Sequence, residues 1–117
     1  MEDLASHGEA LVLKLDVTDP VAIDAAVAAT QQRFGRVDVL VNNAGAGYFA
    51  ALEERKDEEV RRMFDINVFG LARIIQAVLP GMRRRRSGCI VNFSSIGGLR
   101  SFPAIGYYNA TKFAVKA

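Results

Sequence analysis

The 117-residue chain has one cysteine, one histidine and three prolines, and its formal net charge is only +2. Each shortage excludes something. A single thiol, Cys89, leaves no internal disulfide and no cysteine-based metal cluster. It stands in an apolar run and is expected as a buried structural thiol. His7, in a polar lead-in beside Gly8, has no second histidine to share a metal with, so no metal site is expected. The small net charge gives no reason to expect a nucleic-acid partner. No apolar stretch approaches the ~18 residues of a membrane span, so no membrane partner is expected either. The N-terminus, Met1-Glu2-Asp3-Leu4, is acidic and lacks the pattern of a signal peptide. A cytoplasmic location is the resulting expectation.

What is present is 50% hydrophobic content, enough for one globular domain with a modest core. Repeats, low-complexity segments and linkers are absent. Apolar runs alternate with helical patterns. Ala10–Leu15 reads as a buried strand. Asp19 then precedes Pro20, an N-cap followed by proline at the first helical position. Ile23, Val27 and Phe34 mark one helical stripe, which Gly35 closes. Val37–Val41 is the next strand, followed by the turn-rich Asn42–Gly47. A long helix is expected from about Asp57 to about Leu79, with Val60, Phe64, Leu71, Ile75 and Val78 on one stripe. Asn67 falls on that stripe, where an amide needs partners or costs stability. It is either a site residue or a satisfied core asparagine. Cys89–Phe93 is a third strand, and a last helix begins near Gly106 or Tyr107. Repeated strand–helix–strand units imply a parallel sheet with right-handed crossovers. The expected fold is α/β, a Rossmann-like doubly wound sheet, incomplete, with about three strands and flanking helices.

The chemistry concentrates in Tyr108-Asn109-Ala110-Thr111-Lys112, with Ser95 thirteen positions upstream of Tyr108. Residues at i and i+4 share one helix face. A tyrosine phenol ordinarily titrates near ~10. A fixed ammonium beside it favours the phenolate and brings proton transfer closer to neutral pH. A serine hydroxyl at the same point can polarise a carbonyl oxygen. The plain alternative is a surface pair of side chains. Tyr107 is a decoy, because its i+4 position holds Thr111.

Together with Asp16-Val17, Asn42-Asn43-Ala44-Gly45, Asn67 and Asn92-Phe93-Ser94-Ser95, this segment resembles the classical short-chain dehydrogenase/reductase family over nearly the whole chain. The resemblance implies an NAD(P)-dependent oxidoreductase that moves hydride between nicotinamide and an alcohol or ketone. It implies that Tyr108 is the general acid/base, that Ser95 orients the substrate, and that Lys112 tunes Tyr108 and binds the nicotinamide ribose. Asn67 would hold a water linking Lys112 to solvent, and Ser94 would be structural. Asp16 and Val17 match the adenine-contacting pair. Asn43, with Ala44 and Gly45, matches the cofactor-facing turn, where small residues let the backbone approach closely. The implied partners are a small-molecule alcohol or carbonyl substrate and, in the full-length form, further copies of the protein.

The family's T-G-x-x-x-G-x-G turn, which cradles the pyrophosphate, is not among the 117 residues. Neither is the residue that selects NAD or NADP, nor the strands and substrate loop beyond the Tyr-Lys helix. The expectation is a central fragment that is inactive alone. An association module that binds full-length relatives is one alternative, and an extended-branch epimerase or isomerase is another. The Asn-Asn-Ala-Gly turn argues for the classical branch. Phe49, Ile96 and Phe102 are candidates for the near wall of a substrate pocket, or else ordinary core. Arg83–Arg86 read as a phosphate or nucleic-acid contact or, preferably, as a solvated helix end favourable to the dipole.

Overall fold

A computed structural model describes residues 8–117, so His7 and the acidic N-terminus lie outside the described residues. Helix α1 is Pro20–Phe34. It starts where its sequence dictates: the Asp19 carboxylate accepts from the Val21 N–H at 2.9 Å, and Pro20 takes the first position. Gly35, at φ 82°, ends it and returns its N–H to the Gln31 carbonyl at 2.7 Å.

Two parallel strands follow, β1 (Val39–Asn42) and β2 (Cys89–Asn92), in the register Val39–Cys89 through Asn42–Asn92. Of the three expected strands the first, Ala10–Leu15, which would be the third of a complete doubly wound sheet, does not form. Ala10–Leu15 is unpaired, with Leu11, Val12, Leu13 and Leu15 between 39% and 50% exposed. In the doubly wound order 3-2-1-4-5-6, two strands separate the third from the fourth. Nothing among the described residues fills those two places, so Ala10–Leu15 has no neighbour to bond.

Between β1 and β2 a continuous helix spans Asp57–Arg85, 29 residues long. It comprises α2 (Asp57–Phe64), a π-helical turn Asp65–Gly70, and α3 (Leu71–Arg85). The expected stop near Leu79 is overrun, and Pro80 sits inside α3. The true end is a Schellman motif. Ser87 N–H reaches the Met82 carbonyl at 3.2 Å and Arg86 N–H reaches Arg83 at 3.1 Å, with Arg86 left-handed at φ 55°. An arginine takes the place glycine usually holds, which hid the stop from the sequence. Arg83, Arg84 and Arg86 are exposed, as a solvated helix end requires, but Arg85 turns back and donates to the Val37 carbonyl at 2.7 Å. The long helix also contains an 18-residue window of mean hydropathy 1.3, 28% of it buried. By length and composition that segment could cross a membrane, contrary to the expectation that no stretch approaches one.

The described core is small: Ile23 from α1, Met63 from α2, and Val78 and Met82 from α3. Helix α3 packs on α1 and on β1. Alternate strand residues face opposite sides. Val39, Val41 and Val91 are 56%, 52% and 41% exposed, so one sheet face is bare. Cys89 shares that face through its register with Val39 and is exposed, not the buried thiol expected. Its strand is apolar, but no layer covers it. The last helix, α4, is Gly106–Ala114.

Candidate active site

The segments after β1 and β2 leave the sheet at the same end. The last residues of the two strands are tied together, the Asn42 amide donating to Asn92 Oδ1 at 2.8 Å. Asn42 is buried, while the neighbouring Asn43, Ala44 and Gly45 are exposed. This turn is fixed from beneath by Asn67, which is 1% exposed. Asn67 Oδ1 accepts from Ala46 N–H at 2.8 Å, and its Nδ2 donates to the Ala46 carbonyl at 2.8 Å and to Thr111 Oγ1 at 3.0 Å. Asn67 is thus a satisfied core amide that braces the Ala46 turn against α4.

Tyr108 and Lys112 lie one turn apart on α4, with the Lys112 ammonium 5.8 Å from the Tyr108 ring centroid. Lys112 is only 7% exposed, and its Nζ donates to the Phe93 carbonyl at 3.1 Å. Ser95 begins the short 3₁₀ turn Ile96–Gly98, and its Oγ accepts from Gly97 N–H at 3.1 Å. That turn lies flat on α4. A Cβ on Gly97 would come within 3.2 Å of Tyr108 Cε1, and one on Gly98 within 2.7 Å of the Lys112 carbonyl. Ser94 Oγ donates to that carbonyl at 3.2 Å, a structural contact. Asn67 reaches α4 through Thr111, Tyr108 and Lys112 stand on it, and the turn that Ser95 begins packs on it through Gly97 and Gly98. Tyr107 is occupied elsewhere: its hydroxyl accepts from Arg55 Nη1 at 3.0 Å, with the guanidinium 5.7 Å from its ring centroid.

Two organising residues escaped the sequence reading. Asn109, 3% exposed, donates to the carbonyls of Gly97 at 2.8 Å and Arg100 at 3.1 Å, and accepts from Phe102 N–H at 3.3 Å. Thr111, fully buried, donates to the Tyr108 carbonyl at 2.8 Å while accepting from Asn67. The available signal was their position. Polar side chains inside a short helix, away from its caps, need partners.

At the other end, Val17 and Ala44 line one crevice with Asn42, Ile66, Leu71 and Ile74. Asp16 is exposed, and the Thr18 hydroxyl and then its N–H, at 2.7 and 2.8 Å, hold its carboxyl below the ordinary carboxylate value. Phe49 and Ile96 are 72% and 67% exposed, available as a wall and not packed as core, and Phe102 is half-buried under Arg100.

The groups around Lys112 and Gly45 fit a ribose. An ammonium has three donors, and one Lys112 donor is used internally. A Cβ on Gly45 would stand 3.6 Å from Lys112 Nζ and 3.5 Å from Asn67 Oδ1, so glycine keeps that approach open. Donors beside an open backbone turn suit a vicinal diol.

A family model described as short chain dehydrogenase matches residues 1–117. The chain is similar to a 3-ketodihydrosphingosine reductase of Bacteroides thetaiotaomicron, 45% identical over 93% of this chain and 40% of that protein. Among solved structures it resembles a short-chain dehydrogenase from Streptomyces avermitilis, with TM-score 0.92 and 47% identity over 98% of this chain and 44% of that one. It also resembles ElxO with NADP bound, with TM-score 0.84 and 38% identity over 88% of this chain and 42% of that one. The chain spans less than half the length of these relatives. With a matching family model along its whole length, it belongs to the short-chain dehydrogenase family of α/β oxidoreductases.

Proposed function

We propose that this chain carries the proton-transfer centre of an NAD(P)-dependent alcohol/carbonyl oxidoreductase, with Tyr108 as general acid/base. The observation that carries the reading is the buried Lys112 ammonium, held by Phe93 on the face of α4 that presents Tyr108. A bound nicotinamide supplies the hydride chemistry. In the reducing direction Tyr108 gives its phenolic proton to the carbonyl oxygen as the alcohol forms, and Ser95 donates a hydrogen bond to that oxygen. Lys112 keeps a positive charge beside the phenol and holds the ribose. Asn67 keeps the Ala46 turn and α4 in register, and carries the water through which Lys112 reaches solvent. Asn43, Ala44 and Gly45 line the nicotinamide side, and Asp16 and Val17 the adenine side. The apolar, exposed Phe49 and Ile96 favour a substrate whose carbonyl is flanked by hydrocarbon.

The 117 residues alone have no pyrophosphate turn, so we expect them to be inactive by themselves. Nicotinamide-dependent turnover by the purified 117-residue polypeptide would refute that. In the active protein, Tyr108→Phe is expected to lower kcat by about 10²–10⁴-fold with little change in cofactor affinity. A Tyr108→Phe variant that keeps its rate would overturn the assignment. Tyr107→Phe, the matched control, is expected to leave the rate nearly unchanged.

A further inference from the structure

The π-helical turn Asp65–Gly70 touches the site at two places. Asn67 holds Ala46 and Thr111 at one. Gly70 lies against the Asp16–Thr18 loop at the other. Gly70 is buried, and a Cβ on it would stand 2.6 Å from the Val17 carbonyl oxygen, 3.0 Å from the Asp65 carbonyl oxygen and 3.1 Å from Val17 Cγ2. The two closest atoms are backbone, so no rotamer change relieves them. Three residues on, Arg73 Nη1 donates to the Thr18 carbonyl at 3.4 Å. The loop's own shape is set by Asp16, whose Oδ1 takes both donors of Thr18. Its internal form therefore comes from Asp16 and Thr18. Its seat against the long helix comes from Gly70 and Arg73.

We propose that Gly70 is a positioning residue for the adenine half of the cofactor site: the missing side chain lets the Val17 backbone seat against the helix, and Arg73 holds Thr18 there. The proposal rests on the reading of Asp16 and Val17 as the adenine contact. An adenine presents an exocyclic amine donor and ring-nitrogen acceptors, which suit a carboxylate and backbone groups. A side chain at position 70 forces the Val17 carbonyl away from the helix. Val17 then shifts relative to Ala44, with which it shares a crevice.

The test titrates the full chain, isotopically labelled, with 5′-AMP, reading the amide resonances of Asp16, Val17 and Thr18. In Gly70→Ala, AMP affinity is expected to fall by about tenfold or more. The amides of Ala46 and Thr111 in the free variant should stay at their parent positions, which a general loosening would not allow. AMP affinity within about twofold of the parent would overturn the proposal. Should Gly70→Ala fail to fold, or move Ala46 and Thr111, Arg73→Met decides alone. Weakening by about threefold or more is then expected, and unchanged affinity overturns the proposal. If AMP leaves the Asp16–Thr18 amides unmoved in the parent, the adenine reading itself fails, and the proposal with it. That outcome is distinct from normal AMP binding in the variants.

Discussion

Asp16 lies in solvent, yet Thr18 holds its carboxyl below the ordinary value of 3.8, the hydroxyl contributing more than the N–H. A depressed folded-state value means that the pairing favours folding above the unfolded value. That contribution is lost as pH falls through the folded one. Thr18→Val removes the hydroxyl and leaves the N–H. The Asp16 carboxyl should then titrate at higher pH, nearer 3.8, in an NMR titration; an unmoved midpoint would show that the hydroxyl is not the cause. Two glycines separate packing from function in the same way. A Cβ on Gly98 would meet Ser94 Oγ at 2.5 Å and the Lys112 carbonyl at 2.7 Å. Overpacking of that kind costs about 1–3 kcal/mol, so Gly98→Ala should lower the denaturant midpoint. A Cβ on Gly45 meets nothing closer than 3.5 Å. Gly45→Ala should therefore keep the stability while weakening cofactor binding, because the methyl group occupies the approach to Lys112. Equal losses of stability in the two variants would contradict this division.

The π-helical turn is the element on which the site depends most. Asn67 satisfies both backbone groups of Ala46 and the Thr111 hydroxyl. Each buried group left unpaired costs roughly 1–3 kcal/mol. Asn67→Asp sharpens the test through pH. The protonated acid can still donate to the Ala46 carbonyl, whereas the carboxylate sets an oxygen against it. Burial and that carbonyl raise the carboxyl's folded-state value against the single Ala46 N–H that still favours the carboxylate, so stability is retained below the unfolded value and falls as pH rises above it. Thermal melts of the variant should show a larger deficit at pH 7 than at pH 4, while a deficit independent of pH would contradict the bonding described. The sequence disclosed part of this element. Of the apolar stripe from Val60 to Val78 only Val78 is buried, Val60, Phe64, Leu71 and Ile75 being half-buried, but Asn67 on it marked a polar group needing partners. The π turn itself was illegible, because one inserted residue barely perturbs a 3.6-residue period. Cap chemistry was the most readable feature where side chains carry it, as at Asp19, Pro20 and Gly35. It failed at Arg86, where backbone bonds alone stop the helix. The placing of Tyr108 and Lys112 together on one face of α4 was legible by spacing. Asn109 and Thr111 were not, since their partners are backbone groups brought in by the fold.

The molecule as a whole exposes more surface than a chain of its size should. Its accessible area is 8183 Å², against about 6,200 Å² for a compact 12.7 kDa monomer. Its radius of gyration is 16.2 Å, against about 13 Å for a compact domain of this length. Two described apolar regions contribute to the difference. One is the bare sheet face with Val39, Val41 and Val91, and the other is the helical surface bearing Phe69 and Phe113, 51% and 46% exposed. Parallel sheets ordinarily have both faces covered. Exposed patches of this kind drive association. The isolated 117-residue polypeptide is therefore expected to self-associate, its sedimentation coefficient rising with concentration. The two surfaces make separable predictions. Val41 and Val91 are cross-strand neighbours, so Val41→Lys with Val91→Glu places opposite charges side by side and leaves the ladder intact. If the bare sheet face drives association, this pair should return the polypeptide to a monomer with unchanged helix content. If instead Phe69→Lys with Phe113→Lys does so and the sheet pair does not, the helices carry the contact. The sheet face would then be stable in water as it stands. The sheet outcome is expected, because β1 combines that apolar face with an unpaired edge among the described residues, and unprotected edges pair with other chains.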